Sequence, residues 1–164
     1  MEELNEFIKK LTKQTDISYD RLPDIDLYMD QVIEYLTKQC STDSGNDKIS
    51  GAMINNYIKD KLLPRANDKR YGKTHLAYLM MIMRLKQVLA VKDIGTVLSA
   101  IPQDDIQEYF NNFQSILYSN VNELSAVSSS EESELRIAAL NFAITAYVNK
   151  TACEIILNTL NNKE

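Results

Sequence analysis

At 164 residues, 45% hydrophobic and 25% charged, with only 4 Gly and 3 Pro, the chain has the composition of a single globular domain or a small domain with an appendage. Disordered, collagenous and low-complexity classes are excluded. The formal charge of -5 is unevenly divided: residues 1–47 carry -6, residues 48–92 carry +8, and residues 93–164 carry -7. The central segment sets ten Lys/Arg against Asp60 and Asp68 alone. A basic island between acidic flanks is the electrostatic footprint of a face that meets a polyanion.

A chain of this length removes roughly 70% of its unfolded surface from water, so no covalent or metal staple is required. Cys40 and Cys153 are too few and too irregular for a disulfide framework or a zinc site. The longest apolar stretch, Ile137 to Val148, is interrupted by Asn141 and falls short of the about 20 residues that cross a bilayer. Glu2, Glu3 and Glu6 stand where a signal peptide would be basic. The expectation is a soluble, reduced, cytoplasmic domain with no cofactor and no membrane partner.

In chain order, Leu4, Phe7, Ile8 and Leu11 share one face of a short amphipathic helix. Asp16 to Asp26, with Pro23, reads as a linker. A helix over 26–39 follows, with Asp24 or Asp26 as N-cap and Leu27, Val32, Ile33 and Leu36 inward. Cys40–Asp47 has loop composition, which would leave Cys40 exposed. Ser50 is the next N-cap, opening a helix over 50–61 with Met53, Ile54, Tyr57 and Ile58 at core spacing. Leu62-Leu63-Pro64 stops it, because proline drives the preceding residue out of the helical region. Residues 65–71 (RANDKRY) suit a small two-stranded ribbon turning at Asn67-Asp68.

Leu76, Leu79, Met80, Met83 and Val88 stripe a third helix over 73–89, with Met80, Met81 and Met83 as core filler. Ile94, Val97, Leu98 and Ile101 stripe a fourth, closed by Pro102. A fifth runs from Gln103, with Asp104 and Asp105 at its positive end. Residues 125–133 form a Ser-rich connector, and Glu131 to Leu160 can be one long helix. That helix is apolar around most of its circumference from Ile137 to Val148, which calls for cover on more than one side, and a second subunit is the natural cover.

Catalytic chemistry is missing from the pattern. His75 has no partner at metal-ligand spacing, and no GxGxxG, Walker, HExxH or GxSxG signature occurs. The acidic pairs Asp104/Asp105 and Glu131/Glu132 lie at helix starts, where the dipole accounts for them. The expectation is a non-enzyme.

What remains is two short helices, a basic ribbon and two more helices, the arrangement of a winged helix-turn-helix. Asn55, Asn56 and Lys59 lie off the core face of the second helix and suit base edges, with Lys48 and Ser50 at its start. Arg65, Lys69, Arg70 and Lys73 suit phosphates, and Tyr71 can bond one through its hydroxyl.

The stretch MINNYIKDKLLPR…KRY…HLAYLMMIMRLKQVLAVKDIGTVL resembles the DNA-binding head of MerR-type regulators. Ser50, Ile54, Tyr57 and the Leu62-Leu63 pair fall on that pattern. Arg70-Tyr71 end the wing, Leu79, Ile82 and Leu85 continue it, and Ile94 with Leu98 closes it. Asn55 stands in place of a DNA-contacting Arg, Ile58 in place of an acid, and Lys61 in place of Gly. More closely, LPDIDLYMDQ, MINNYIKDKLLP and KRY…HLAYLMMI…LKQVL resemble an uncharacterised bacterial family, domain of unknown function eighteen thirty-six.

The expectation is an all-α fold: residues 1–22 a helix and linker, 23–101 the MerR-like winged helix-turn-helix with a small two-stranded wing that the resemblance implies, and 102–164 a helical region that the apolar C-terminal helix marks for dimerisation. The expected function is a homodimeric transcriptional regulator that binds double-stranded DNA. The alternative is a protein-interaction module that keeps the scaffold but no longer binds DNA, its basic face taking an acidic partner; Asn55 and the acidic total charge favour it.

Overall fold

The computed structural model describes residues 2–40, 48–127 and 131–162. It is mostly helical with one small open sheet: α1 (Glu2–Thr15), β1 (Leu27–Tyr28), α2 (Met29–Cys40), α3 (Gly51–Lys59), β2 (Arg70–Tyr71), α4 (Lys73–Leu85), α5 (Val91–Ser99), α6 (Ile106–Val127) and α7 (Glu132–Asn161). The expected loop at 41–47 and residues 128–130 of the Ser-rich connector lie outside the described residues. Ser125 to Val127 are helical, so α6 runs further than the composition suggests. The chain divides into two units, 17–114 and 1–16 with 115–164.

The unit 17–114 is built around α4. Every residue from Leu76 to Met83 is buried, and α2 packs along this helix. An all-round apolar run can exist only where other elements cover it on every side. Val32 and Leu36 from α2, Ile54 from α3, Ile94 from α5 and Phe110 from α6 supply that cover, each with no exposed surface. The three methionines fill the interior, while Val88 lies past the end of α4 and is exposed. Cys40 is the last residue of α2 and sits in the core, its carbonyl accepting from Arg84 Nη1 at 3.3 Å, so the thiol is not the exposed one that a loop would give.

Two expectations about the start of this unit change. Residues 17–26 are not a free linker, because Leu22 is buried and a short 3-10 turn at Tyr19–Arg21 is tied down. The Tyr19 N–H donates to Asn111 Oδ1 at 2.8 Å, and Gln114 Nε2 donates to the Ile17 carbonyl at 3.0 Å. The helix expected from residue 26 starts at Met29, since Leu27 and Tyr28 form a strand instead. That strand pairs antiparallel with Arg70–Tyr71, Leu27 opposite Tyr71 and Tyr28 opposite Arg70. The sheet is therefore not a ribbon local to 65–71. A turn of seven residues makes one bridge, between Asn67 and Arg70, and buries little. Pairing with β1 puts Leu27 and Tyr71 together on the core face.

Burial holds the phenols of Tyr35, Tyr57, Tyr71 and Tyr78 above the ordinary tyrosine range, with the Cys40 thiol adding to the effect at Tyr35. The fold thus prefers the neutral phenol, and the unfolded chain ionises first. The corresponding stability is present below about pH 10 and is lost as pH rises through the folded values. Urea midpoints are expected to fall above about pH 10, with tyrosinate absorbance rising together with unfolding.

The other unit is sparsely packed. Ile8, Val121 and Leu157 are its buried apolar residues among those described. On α7, Leu157 is buried and Leu135 and Cys153 are half-buried on one side. The opposite side exposes Ile137, Leu140, Ile144, Tyr147, Val148 and Ile155, and Phe142, Ile156 and Leu160 are exposed beside the covered side. At about 100° per residue the six on the opposite side form one continuous stripe. No helix among the described residues is long and apolar enough to cross a membrane.

Candidate nucleic-acid interface

The second helix forms as its caps dictate. Ser50 is extended (φ -131°), and its hydroxyl accepts the Met53 N–H at 3.3 Å, the expected N-cap. Ile54 and Tyr57 face the core, which turns Ala52, Asn55, Asn56 and Lys59 outward together at i, i+3, i+4 and i+7. Ala52, which its small apolar side chain does not mark as a base-reading residue, extends the outward stripe by one turn. Lys48 is exposed just before the helix, its carbonyl accepting Lys86 Nζ at 3.4 Å.

The helix ends at Lys59, earlier than Pro64 alone would require. Lys61 takes a left-handed conformation (φ 60°), with its N–H on the Ile58 carbonyl at 3.2 Å and the Leu62 N–H on the Tyr57 carbonyl at 2.9 Å. This is a Schellman termination, whose left-handed position is usually glycine. A side chain there costs about 1 kcal/mol.

The hairpin makes the same unusual choice. Asn67 and Arg70 exchange backbone bonds of 3.1 and 2.8 Å, and Asp68 (φ 49°) with Lys69 (φ 61°) forms the turn. The turn centre is thus one residue later than expected. Two central residues with positive φ make a type I′ turn, for which Asp-Gly is a preferred pair. Lys69 occupies the glycine position at the exposed tip.

Arg70 is held in place across the strand pair. Its Nη2 donates to Tyr28 Oη at 3.0 Å, and its guanidinium lies 5.1 Å from the centre of that ring. Two other candidates serve the fold. The ring of Tyr71 is buried in the core, edge-on to His75 at 5.4 Å, because it follows Arg70 on a strand whose alternate residues face inward. Lys73 is paired with Asp24 at 2.6 Å, reaches the Asp20 carbonyl at 3.4 Å and lies 5.9 Å from the Tyr19 ring centre. It fastens residues 19–24 and is no free phosphate clamp.

His75 ties the ribbon to α4. Nδ1 accepts the Gly72 N–H at 3.1 Å, so the proton lies on Nε2, which donates to the Arg65 carbonyl at 3.2 Å. Sequence spacing gave this histidine no role. Its replacement by alanine removes both bonds, and an expected loss of about 2 kcal/mol follows from about 1 kcal/mol net for each. Urea denaturation measures it.

Lys59, Lys61, Arg65 and Lys69 are all exposed, and none pairs with an acid among the described residues. Beside them lies a cleft of about 720 Å³ between the end of α3, the turn at 61–65 and α5. Gly95 of α5 lines it, and among the described residues a Cβ there would meet only Leu62 Cδ1 at 3.8 Å, an ordinary contact. Glycine in a helix interior costs about 1 kcal/mol relative to alanine. Among the described residues no group of three His, Cys, Asp or Glu side chains could hold a metal ion.

The family model described as Domain of unknown function (DUF1836) matches residues 17–121. The chain belongs to the DUF1836 family. The DUF1836 match spans nearly two thirds of the chain and contains the α3 stripe, the hairpin and the cleft; α7 lies beyond it. No curated protein and no solved structure matches the chain.

Proposed function

We propose that this DUF1836 protein is a homodimeric transcriptional regulator that binds duplex DNA through a MerR-like winged helix-turn-helix. In this reading α2 and α3 are the helix-turn-helix and the 67–70 hairpin is the wing. The stripe of Asn55, Asn56 and Lys59 enters the major groove, with the Ala52 methyl toward a thymine. Arg65, Lys69 and Arg70 hold phosphates, with Lys48 and Ser50 at the helix start beside them. Tyr71 and Lys73 take no direct part.

The observation that carries the reading is the four exposed cations without acid partners among the described residues, two of them lysines at left-handed positions that glycine would fill at lower cost. Strained backbone positions cluster at functional sites, so two of them on one basic face support a function for it. It also accounts for Lys61, which stands where the MerR-type pattern has glycine: the backbone has kept the left-handed turn and accepted a charge in it. The exposed α7 stripe supplies the second-subunit surface, so that two heads address half-sites separated by whole helical turns.

Fluorescence anisotropy of the full chain against mixed-sequence duplex, titrated with salt, tests the proposal. Binding at low ionic strength that weakens linearly in log-log form supports it, each phosphate contact adding about 0.9 to the slope. Absence of salt-dependent binding at low ionic strength refutes it and leaves the basic face to an acidic protein partner.

A further inference from the structure

The cleft beside α3 has a volume of about 720 Å³, inside the range of about 300–1,000 Å³ for small-molecule sites. Its floor is apolar, from Ile58, Leu62, Leu63, Tyr78 and Leu98. Lys59, Lys61 and Arg65 form a cationic rim, and among the described residues no Asp or Glu lines the cleft. An apolar floor with a few convergent charges is the usual build of a site for an amphipathic ligand.

Two residues of this lining run against local stability, in opposite directions. Gly95 sits mid-helix although no neighbouring atom excludes a Cβ, and the missing side chain leaves the cleft wider. Lys61 fills a left-handed position suited to glycine, and its side chain adds a cation at the cleft. A glycine where alanine is cheaper and a lysine where glycine is cheaper meet at one recess. Neither choice helps the fold, and both help an anionic occupant.

We propose that this cleft binds a small organic acid with an apolar body, its carboxylate on Lys59, Lys61 and Arg65 and its hydrocarbon on Ile58, Leu62 and Leu98. The inference deepens the DNA-binding reading in one respect, since Asn55, Lys59 and Arg65 line the cleft and also belong to the proposed DNA face. Acid and duplex therefore compete for the same cations, which makes the cleft an effector site.

Octanoate is the probe, titrated without DNA into the isotope-labelled full chain while backbone amides are followed by NMR. Saturable shifts confined to residues 55–65 and 94–101 are expected. Octanol, which lacks the charge, and acetate, which lacks the body, are each expected to bind at least about tenfold more weakly. The Lys61→Gly variant is expected to bind octanoate about tenfold more weakly and to melt about 3 °C higher. A purely structural role for Lys61 would move the melting point alone.

Three outcomes overturn the proposal: no saturable shift, shifts that fall on the α7 stripe instead, or Lys61→Gly binding octanoate as tightly as the unaltered chain. Because this titration contains no duplex, it is decided whether or not the chain binds DNA. Displacement of bound duplex by octanoate in the anisotropy assay then reads the competition separately.

Discussion

If the proposed homodimer forms, the unaltered protein is expected to run at about twice 18.7 kDa in sedimentation equilibrium, and glutamate in place of both Ile144 and Tyr147 to leave a monomer of 18.7 kDa. The six exposed residues of the α7 stripe run from Ile137 to Ile155, about 27 Å of helix at 1.5 Å per residue. Each such side chain is worth about 1.5–3 kcal/mol on full burial. A contiguous apolar patch of this kind on one copy marks an interaction surface. Ile144 and Tyr147 lie at the middle of the stripe, so glutamate at both would place two charges in the centre of the proposed interface, where desolvation costs most. The acidic first turn, Glu132 and Glu134, favours an antiparallel pair, which keeps the carboxylates of the two copies apart. Asn149→Glu is the control, since Asn149 is exposed but off the stripe, and its mass should stay dimeric. The monomeric variant should also bind DNA at least about a hundredfold more weakly, because the second head no longer profits from the first. A monomeric unaltered chain at micromolar concentration would dispose of the dimer.

Lys69→Gly is expected to change stability and DNA binding in opposite directions. The left-handed backbone at Lys69 (φ 61°) is relieved by glycine, and the variant's turn would carry Asp-Gly, a preferred type I′ pair, so stability should rise by about 1 kcal/mol. The salt slope of DNA binding should fall by about 0.9, the share of one phosphate contact. The triple replacement of Arg65, Lys69 and Arg70 by alanine extends the test, with an expected fall in slope of about 2.7 for three contacts. Arg70→Ala also removes the hydrogen bond to Tyr28, so the single Lys69→Gly variant is the cleaner probe of charge. A more stable Lys69→Gly variant with an unchanged salt slope would remove the hairpin tip from the DNA interface.

The helices were legible because their signals are local. Apolar spacing of three and four residues, the Ser50 hydroxyl three residues from the N–H it accepts, and Pro102 after α5 all act within one or two turns. The outward stripe of Asn55, Asn56 and Lys59 followed from the same periodicity once Ile54 and Tyr57 were set inward. Tyr71, Lys73 and Cys40 were less legible, since each acquires its role from a distant partner. Tyr71 turns inward because Arg70 pairs with Tyr28, 42 residues earlier. Lys73 is occupied by Asp24, and Cys40 is covered by the helices that pack over the end of α2. No spacing rule reaches across such intervals.

By itself the amino-acid sequence determined a helical chain with a basic centre between acidic flanks, the Ser50 cap and the core faces of α3 and α4, and membership of the DUF1836 family. The first two rest on composition and on contacts within a few residues, and the third on the match over residues 17–121. Only the tertiary structure decided which strand pairs with Arg70–Tyr71, which cations stay unpaired, and that Lys61 and Lys69 hold left-handed backbone. It alone brought Gly95 and Lys61 to one cleft, because residues so far apart in the chain meet only when a packed core brings α5 and the turn after α3 together.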